Sequence, residues 1–170
     1  MAMVASLTAC GSDPDTTSPA ASSAAATATQ PPTPSAATPE EVAVVIAGHQ
    51  DDWRSVIDEA GECRMRWVLK QDDPAESARR ISCYMPGQTA GITAQLAMRD
   101  LGELTVPTSM TGLVETTTAA LQQVADVDLE AVCGADSEPA DSPECSEALG
   151  QRMWAYHSLE KALDMWSPYL

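Results

Sequence analysis

The chain has 170 residues and is strongly acidic, with 25 Asp and Glu against 9 Lys and Arg and a net charge of −16 at pH 7. A surface with this excess of negative charge is repelled by nucleic acids, so we expect no nucleic-acid partner. Asp13 and Asp15 are the only charged residues before residue 39, which leaves residues 39–170 with a net charge of −14.

The N-terminal segment ends in Leu7-Thr8-Ala9-Cys10 and is followed by Gly11. A Leu three residues before a Cys, with small residues between them, resembles the lipobox of bacterial lipoproteins, in which the Cys carries the lipid. The resemblance implies a signal segment at 1–9, lipid on Cys10, and a place on the extracytoplasmic face of the cell membrane. Two or three acyl chains on this Cys are enough for stable anchoring.

Only nine residues precede Cys10, and none of them is Lys or Arg. A complete export signal has a basic region followed by about 7–15 apolar residues. Either the true start lies upstream of Met1, or the match is accidental. The alternative is a cytoplasmic protein with a stray Cys near its N-terminus.

Residues 11–38 consist almost entirely of Ser, Thr, Ala and Pro, with no Val, Ile, Leu, Met or aromatic residue. Such a segment cannot bury enough apolar surface to offset the entropy of ordering. We predict that residues 10–38 form a disordered tether between the anchored Cys and a folded domain at 39–170.

The first helix is predicted to begin at Pro39, because Thr38 is a suitable N-cap and Glu41 completes a capping box. Apolar residues then recur at steps of three and four to about Gln71. His49 lies on this stripe, which consists of Val42, Val45, Ile46, His49, Trp53, Val56, Ala60, Cys63 and Trp67.

A second helix is predicted from Pro74, after the cap Asp73, to about Leu104. Because proline lacks a backbone donor and clashes with the preceding turn, we expect a kink or short break at Pro86-Gly87. Beyond it, a face of mostly small residues allows close approach of a neighbour; this face consists of Ala90, Ala94, Ala97, Leu101 and Leu104.

Two further helices follow. The third is predicted to run from Met110 to Val124 and to become irregular near 126–128. A loop at 134–141 leads to the fourth helix, which begins after Ser142 and carries an apolar stripe to Trp166. Four amphipathic helices with short connections predict an all-α, up-down-up-down four-helix bundle.

Four cysteines lie in the predicted domain, and in an exported protein they indicate two disulfides. Cys63 and Cys83 each lie ten residues from Asp73 in the first turn, so they stand level on antiparallel helices. Cys133 and Cys145 flank the loop between the third and fourth helices. We predict the pairs Cys63–Cys83 and Cys133–Cys145, one within each helical hairpin. The alternative, a zinc site, lacks the usual Cys-x-x-Cys spacing.

Two histidines are the candidate metal ligands. His49 could bind a metal or haem inside the bundle, or it could be an ordinary hydrogen-bonded histidine in the core or at the end of the bundle, which we favour. His49 with Asp52 and His157 with Glu160 reverse the Glu-x-x-His order of carboxylate-bridged metal bundles, so we expect no di-metal site and no cofactor.

Trp154 and His157 lie with Lys161 on the flank of the fourth helix, away from its apolar stripe. A Trp beside a basic residue could anchor a partner protein, because Trp is enriched at binding hot spots. The simpler interpretation, which we favour, is that Trp154 packs at the edge of the bundle.

An arginine cluster near the first predicted disulfide comprises Arg64, Arg66, Arg79 and Arg80. Surface ion pairs are the simpler interpretation of this cluster, and an anion site is the alternative.

The sequence contains no recognisable nucleophile, phosphate-binding or HExxH motif. We therefore predict a lipid-anchored, non-enzymatic binding or interaction module that meets the membrane through Cys10 and a cell-envelope protein through its domain. The alternative is a metal- or haem-binding bundle centred on His49.

Overall fold

A computed structural model describes residues 35–68, 74–133 and 142–170. In this part of the chain all regular structure is helical and no strand is present, which confirms the predicted all-α class. The elements are α1 (Pro39–Ala47), α2 (Gln50–Val68), α3 (Pro74–Glu103), a 3₁₀ helix (Thr108–Met110), α4 (Thr111–Ala125), α5 (Leu129–Cys133) and α6 (Pro143–Met165). Predictions about Cys10, about the tether up to residue 34 and about the loop at 134–141 lie outside the described residues.

The beginnings of α1 and α6 follow the predicted caps. At α1, the Glu41 N–H donates to the Thr38 hydroxyl (3.2 Å) and the Thr38 N–H donates to the Glu41 carboxylate (2.7 Å), which completes the capping box. At α6, the Ser142 hydroxyl accepts from the Cys145 N–H (3.0 Å). Just before α1, the Ala37 N–H donates to the Thr105 carbonyl (2.9 Å), so the chain entering α1 contacts the connection that follows α3.

The first predicted helix is interrupted, so the prediction of a single helix over 39–71 is wrong. α1 ends at Ala47 and α2 begins at Gln50, with Gly48 and His49 in a turn. The His49 N–H donates to the Ile46 carbonyl (3.1 Å), three residues back instead of the four of an α-helix. Glycine is among the poorest helix formers, which accounts for the position of the interruption.

The second predicted helix is continuous, so the short break proposed at Pro86-Gly87 does not occur. α3 passes through Pro86 without interruption and ends at Glu103. Gly87 is buried against α6, where the Arg152 guanidinium and the Tyr156 hydroxyl occupy the space that a Cβ would need. Packing of this kind overrides local helix propensity.

The main core is organised around two tryptophans. The Trp53 side chain is 1% exposed and that of Trp166 is fully buried, which confirms both as core residues. Each indole N–H has a threonine acceptor, Thr93 for Trp53 and Thr117 for Trp166, both at 2.8 Å. The side chain of Trp67, which lies on the same predicted stripe as Trp53, falls outside the described part of the chain.

The small-residue face of α3 is also buried as predicted, with Ala90, Ala94 and Ala97 in the main core. A second, smaller core joins α5 to α6 around Leu129 and Leu149. None of the helices in the described ranges is long and apolar enough to cross a membrane.

Two disulfides connect the helices, and they are the pairs that the cysteine spacing predicts. Cys63–Cys83 joins α2 to α3 with a Cα–Cα distance of 5.4 Å, and Cys133–Cys145 joins α5 to α6 with a Cα–Cα distance of 4.9 Å. Cross-links that close loops of these lengths stabilise a fold by about 3 kcal/mol each.

The buried Trp166–Thr117 hydrogen bond gives a stability prediction. Thr117→Val keeps the branched shape and removes the acceptor, so the free energy of unfolding is expected to fall by about 1–3 kcal/mol, because a buried N–H is left unsatisfied. Urea denaturation measures this loss. The matched control is Thr116→Val on the same helix: Thr116 is exposed and its hydroxyl bonds the Gly112 carbonyl four residues back, as that of Thr117 bonds Leu113. Equal losses in the two variants would contradict the assignment.

Candidate binding site

A cleft opens between α2, α3 and α6, beside the Cys63–Cys83 disulfide. Its free space is about 40 Å³, which is more than one bound water needs. The polar residues that line it are Glu59, Arg64, Arg152 and Tyr156. Its apolar walls are Val56, Ala60, Pro86, Leu129, Leu149 and Met153.

Tyr156 is the most deeply buried polar residue of the cleft. It is 5% exposed, and within the described residues no group forms a hydrogen bond with its hydroxyl. Burial raises the pKa of Tyr156 above its usual value of 10, because the phenolate would lose its hydration, while the positive charge of Arg152 opposes this effect. The hydroxyl is therefore neutral at physiological pH and retains a proton to donate.

Arg152 lies one helical turn before Tyr156 and is half-buried. Its Nη2 donates to the Val127 carbonyl (2.8 Å). Its Nη1 lies beside Gly87, as does the Tyr156 hydroxyl. No carboxylate within the described ranges forms an ion pair with Arg152, and a guanidinium offers five N–H donors. Two unsatisfied donor groups thus stand side by side at one point of the α3–α6 contact.

A surface groove adjoins this cleft, because Arg64 and Met153 line both of them. The structure places Trp154 and His157 in this groove, with their rings edge to face and the ring centroids 6.4 Å apart. Trp154 is 72% exposed, so little of its ring packs on the bundle. The His157 Nδ1 lies 3.6 Å from the Glu160 carboxylate.

The predicted arginine cluster is divided by the structure. Arg64 is exposed and has no ion pair among the residues described. Arg66 and Arg79 line a neighbouring depression with Glu59 and Glu62 and engage other groups. The side chain of Arg80 falls outside the described part. Arg64 is therefore the member of the cluster that belongs to the cleft.

His49 does not occupy the position expected from the sequence. The expected place in the middle of a buried helical stripe is wrong, because the chain turns between α1 and α2 at this residue. The ring is half-buried and its centroid lies 5.3 Å from that of Trp53. Within the described ranges, no three His, Cys, Asp or Glu residues are grouped so that they could hold a metal ion.

The two central residues of the cleft are ones that the sequence analysis did not single out. Tyr156 falls on the apolar stripe of α6 and counts there as a core ring, and Arg152 has the spacing of a residue at the edge of that stripe. The available signal was Gly87 inside a helix, since a glycine there often marks a close approach by another element. The side chains that approach it are Arg152 and Tyr156.

Comparisons of the chain with protein-family models, with curated proteins and with solved structures found no match. The chemistry of the site must therefore indicate the function. The cleft combines apolar walls, a neutral hydroxyl donor and a fixed cation, and its cysteines are joined in a disulfide. This set of groups suits reversible binding.

The exposure of Trp154 gives a second prediction. Trp154→Ala is expected to change the free energy of unfolding by less than about 0.5 kcal/mol, since the residue lies on the surface. Trp53→Ala, a matched substitution in the core, is expected to cost about 3–5 kcal/mol. Urea denaturation of the two variants measures both values. A loss of more than 2 kcal/mol for Trp154→Ala would show that the ring supports the bundle.

Proposed function

We propose that this protein is a bacterial lipoprotein whose helical bundle is held by lipid on Cys10 at the extracytoplasmic face of the cell membrane and acts there as a non-enzymatic binding module. The location is supported by Leu7-Thr8-Ala9-Cys10 and by the polar segment at 11–38. It is also supported by the two disulfides, because such bonds persist in oxidising compartments.

The proposed architecture is an up-down-up-down four-helix bundle made of α2, α3, α4 with α5, and α6. It is supported by the antiparallel direction of neighbouring helices, because residues near the end of one helix lie beside residues near the start of the other. The pairs are Trp53–Thr93 and Cys63–Cys83 for α2 and α3, and Thr117–Trp166 and Val127–Arg152 for the segments of α4 and α6. The ion pair Arg54–Asp164 (3.1 Å) joins α2 to α6 and completes the ring.

The observation that carries the binding role is the exposed Trp154 beside His157 and Arg64. An indole that is 72% exposed leaves apolar surface in water, and burying it against a partner is favourable. Trp and Arg are the residues most enriched at interface hot spots. We therefore propose a cell-envelope protein as the partner of this groove.

The lipid anchor is tested by Cys10→Ser in the native cell. Wild-type protein is expected in the membrane fraction, with an intact mass increased by the attached lipid, and the Cys10→Ser variant is expected in the soluble fraction, because the acyl chains supply the membrane affinity. The double variant Cys133→Ala, Cys145→Ala is the control and is expected to stay on the membrane. Five reduced thiols on an unacylated chain would contradict both the location and the proposed role.

The partner groove is tested by photo-crosslinking in intact cells. The substitution Trp154→p-benzoylphenylalanine is expected to give an adduct with one envelope protein, identified by mass spectrometry, because the side chain points into the interface. Gln123, exposed on α4, is the matched control position and is expected to give no such adduct. Equal yields at the two positions, adducts only with a second copy of this chain, or none at all would count against the groove.

A further inference from the structure

Tyr156 and Arg152 line a largely apolar cleft, and within the described residues neither the Tyr156 hydroxyl nor the Arg152 Nη1 has a hydrogen-bond partner. We infer that this cleft binds a small monocarboxylate, with the carboxylate held by the Tyr156 hydroxyl and the Arg152 guanidinium and a short apolar tail between the walls. This inference does not depend on the lipid anchor or on the Trp154 groove, so the failure of either leaves it open to test.

The donor geometry fits the two oxygens of a carboxylate. The Tyr156 hydroxyl and the Arg152 Nη1 both lie against Gly87, and Nη2 is already held by the Val127 carbonyl. The guanidinium is thereby fixed in orientation before any ligand arrives. Hydrogen bonds from a neutral hydroxyl and a cation to a carboxylate are charge-assisted and about twice as strong as neutral ones.

The surroundings favour a single negative charge over a multiply charged anion. Glu59 lines the cleft, and Asp128 lies with Arg152 in a depression next to it, where the Asp128 carboxylate accepts from the Ala131 N–H (3.1 Å). The folded domain as a whole carries a net charge of −14. A phosphate dianion would meet repulsion from these charges, whereas a monocarboxylate needs only the one cation.

The apolar walls of the cleft determine what kind of tail the ligand carries. Val56, Leu149 and Met153 are apolar, so the walls suit an apolar tail. A chain of a few methylene carbons fits this description and gains free energy from each carbon that it buries. Arg64 lines the cleft and the adjoining groove and adds a positive charge that attracts the carboxylate.

The test uses hexanoate as the probe and isothermal titration calorimetry on the full chain with both disulfides intact. We expect saturable one-to-one binding that 1-hexanol, which has the same tail without the charge, reproduces at least tenfold more weakly. Tyr156→Phe is expected to weaken hexanoate binding by at least tenfold, because a hydrogen bond to a charged group is lost. Tyr169→Phe, at an exposed tyrosine outside the cleft, is the matched control and is expected to bind hexanoate as the wild type does.

Thermal unfolding without ligand gives a second, independent readout. Because the Tyr156 hydroxyl has no protein partner in the described residues, Tyr156→Phe is expected to leave the Tm of the ligand-free protein unchanged or to raise it. Absence of saturable hexanoate binding would overturn the inference, and so would equal affinity in wild type and Tyr156→Phe. A fall in the ligand-free Tm of Tyr156→Phe would also overturn it, since it would mean that the hydroxyl serves only to hold a structural water.

Discussion

The approach of two α6 side chains, those of Arg152 and Tyr156, to Gly87 of α3 is the contact on which the rest of the site depends. A side chain at this position would collide with the Arg152 guanidinium and would crowd the Tyr156 hydroxyl. Because Gly87 has no side chain, two polar groups of α6 can lie against α3 where a helical bundle would ordinarily place apolar side chains. The same two side chains also line the cleft. Pro86 in the preceding position forms one wall of the same cleft, so the pair Pro86-Gly87 shapes the site without interrupting the helix.

The remainder of the core shows that unsatisfied polar groups are not a general property of this bundle. The sequence contains no Phe, and its buried aromatic volume comes chiefly from Trp53 and Trp166, which carry a polar N–H into the interior. Both N–H groups are satisfied by threonine hydroxyls at 2.8 Å. Each of these buried polar aromatic groups therefore has a partner, whereas within the part of the chain that the structure describes the Tyr156 hydroxyl has none. A buried hydroxyl without a partner lowers the free energy of unfolding by about 1–3 kcal/mol. A contribution to stability therefore does not explain why this hydroxyl is present.

The sequence was sufficient to predict the helical class, the caps at Thr38 and Ser142, the disulfide pairs and the two core tryptophans, because each depends on local chemistry or on helical periodicity. The sequence was not sufficient to predict where the helices are interrupted and where they continue, at Gly48 and at Pro86, because helix propensity and packing favour different outcomes there. The helix is interrupted at Gly48, which lies within the predicted first helix, and it continues through Pro86, where a kink or a short break was expected. The central pair of the cleft could not be predicted for a different reason. Whether Tyr156 has a hydrogen-bond partner depends on which groups of α3 lie opposite it, and periodicity along α6 carries no information about them.

Arg152 has no carboxylate partner in the described ranges, although acidic residues greatly outnumber basic ones in the domain. The domain contains 23 acidic residues and 9 basic ones, since Asp13 and Asp15 are the only acids outside it. Arg54 pairs with Asp164 and Arg99 with Asp100, whereas Arg64 and Arg152 have no carboxylate partner in the described ranges. Arg152 is half-buried, and Asp128, which lines a depression with it, caps α5 instead. Polar groups that lack a partner in this way tend to be kept at functional sites, and other interactions in the fold compensate for their cost. The Cys63–Cys83 disulfide borders the same cleft and can supply that compensation, because its stabilisation of about 3 kcal/mol is at least as large as the cost of about 1–3 kcal/mol of one unsatisfied hydroxyl.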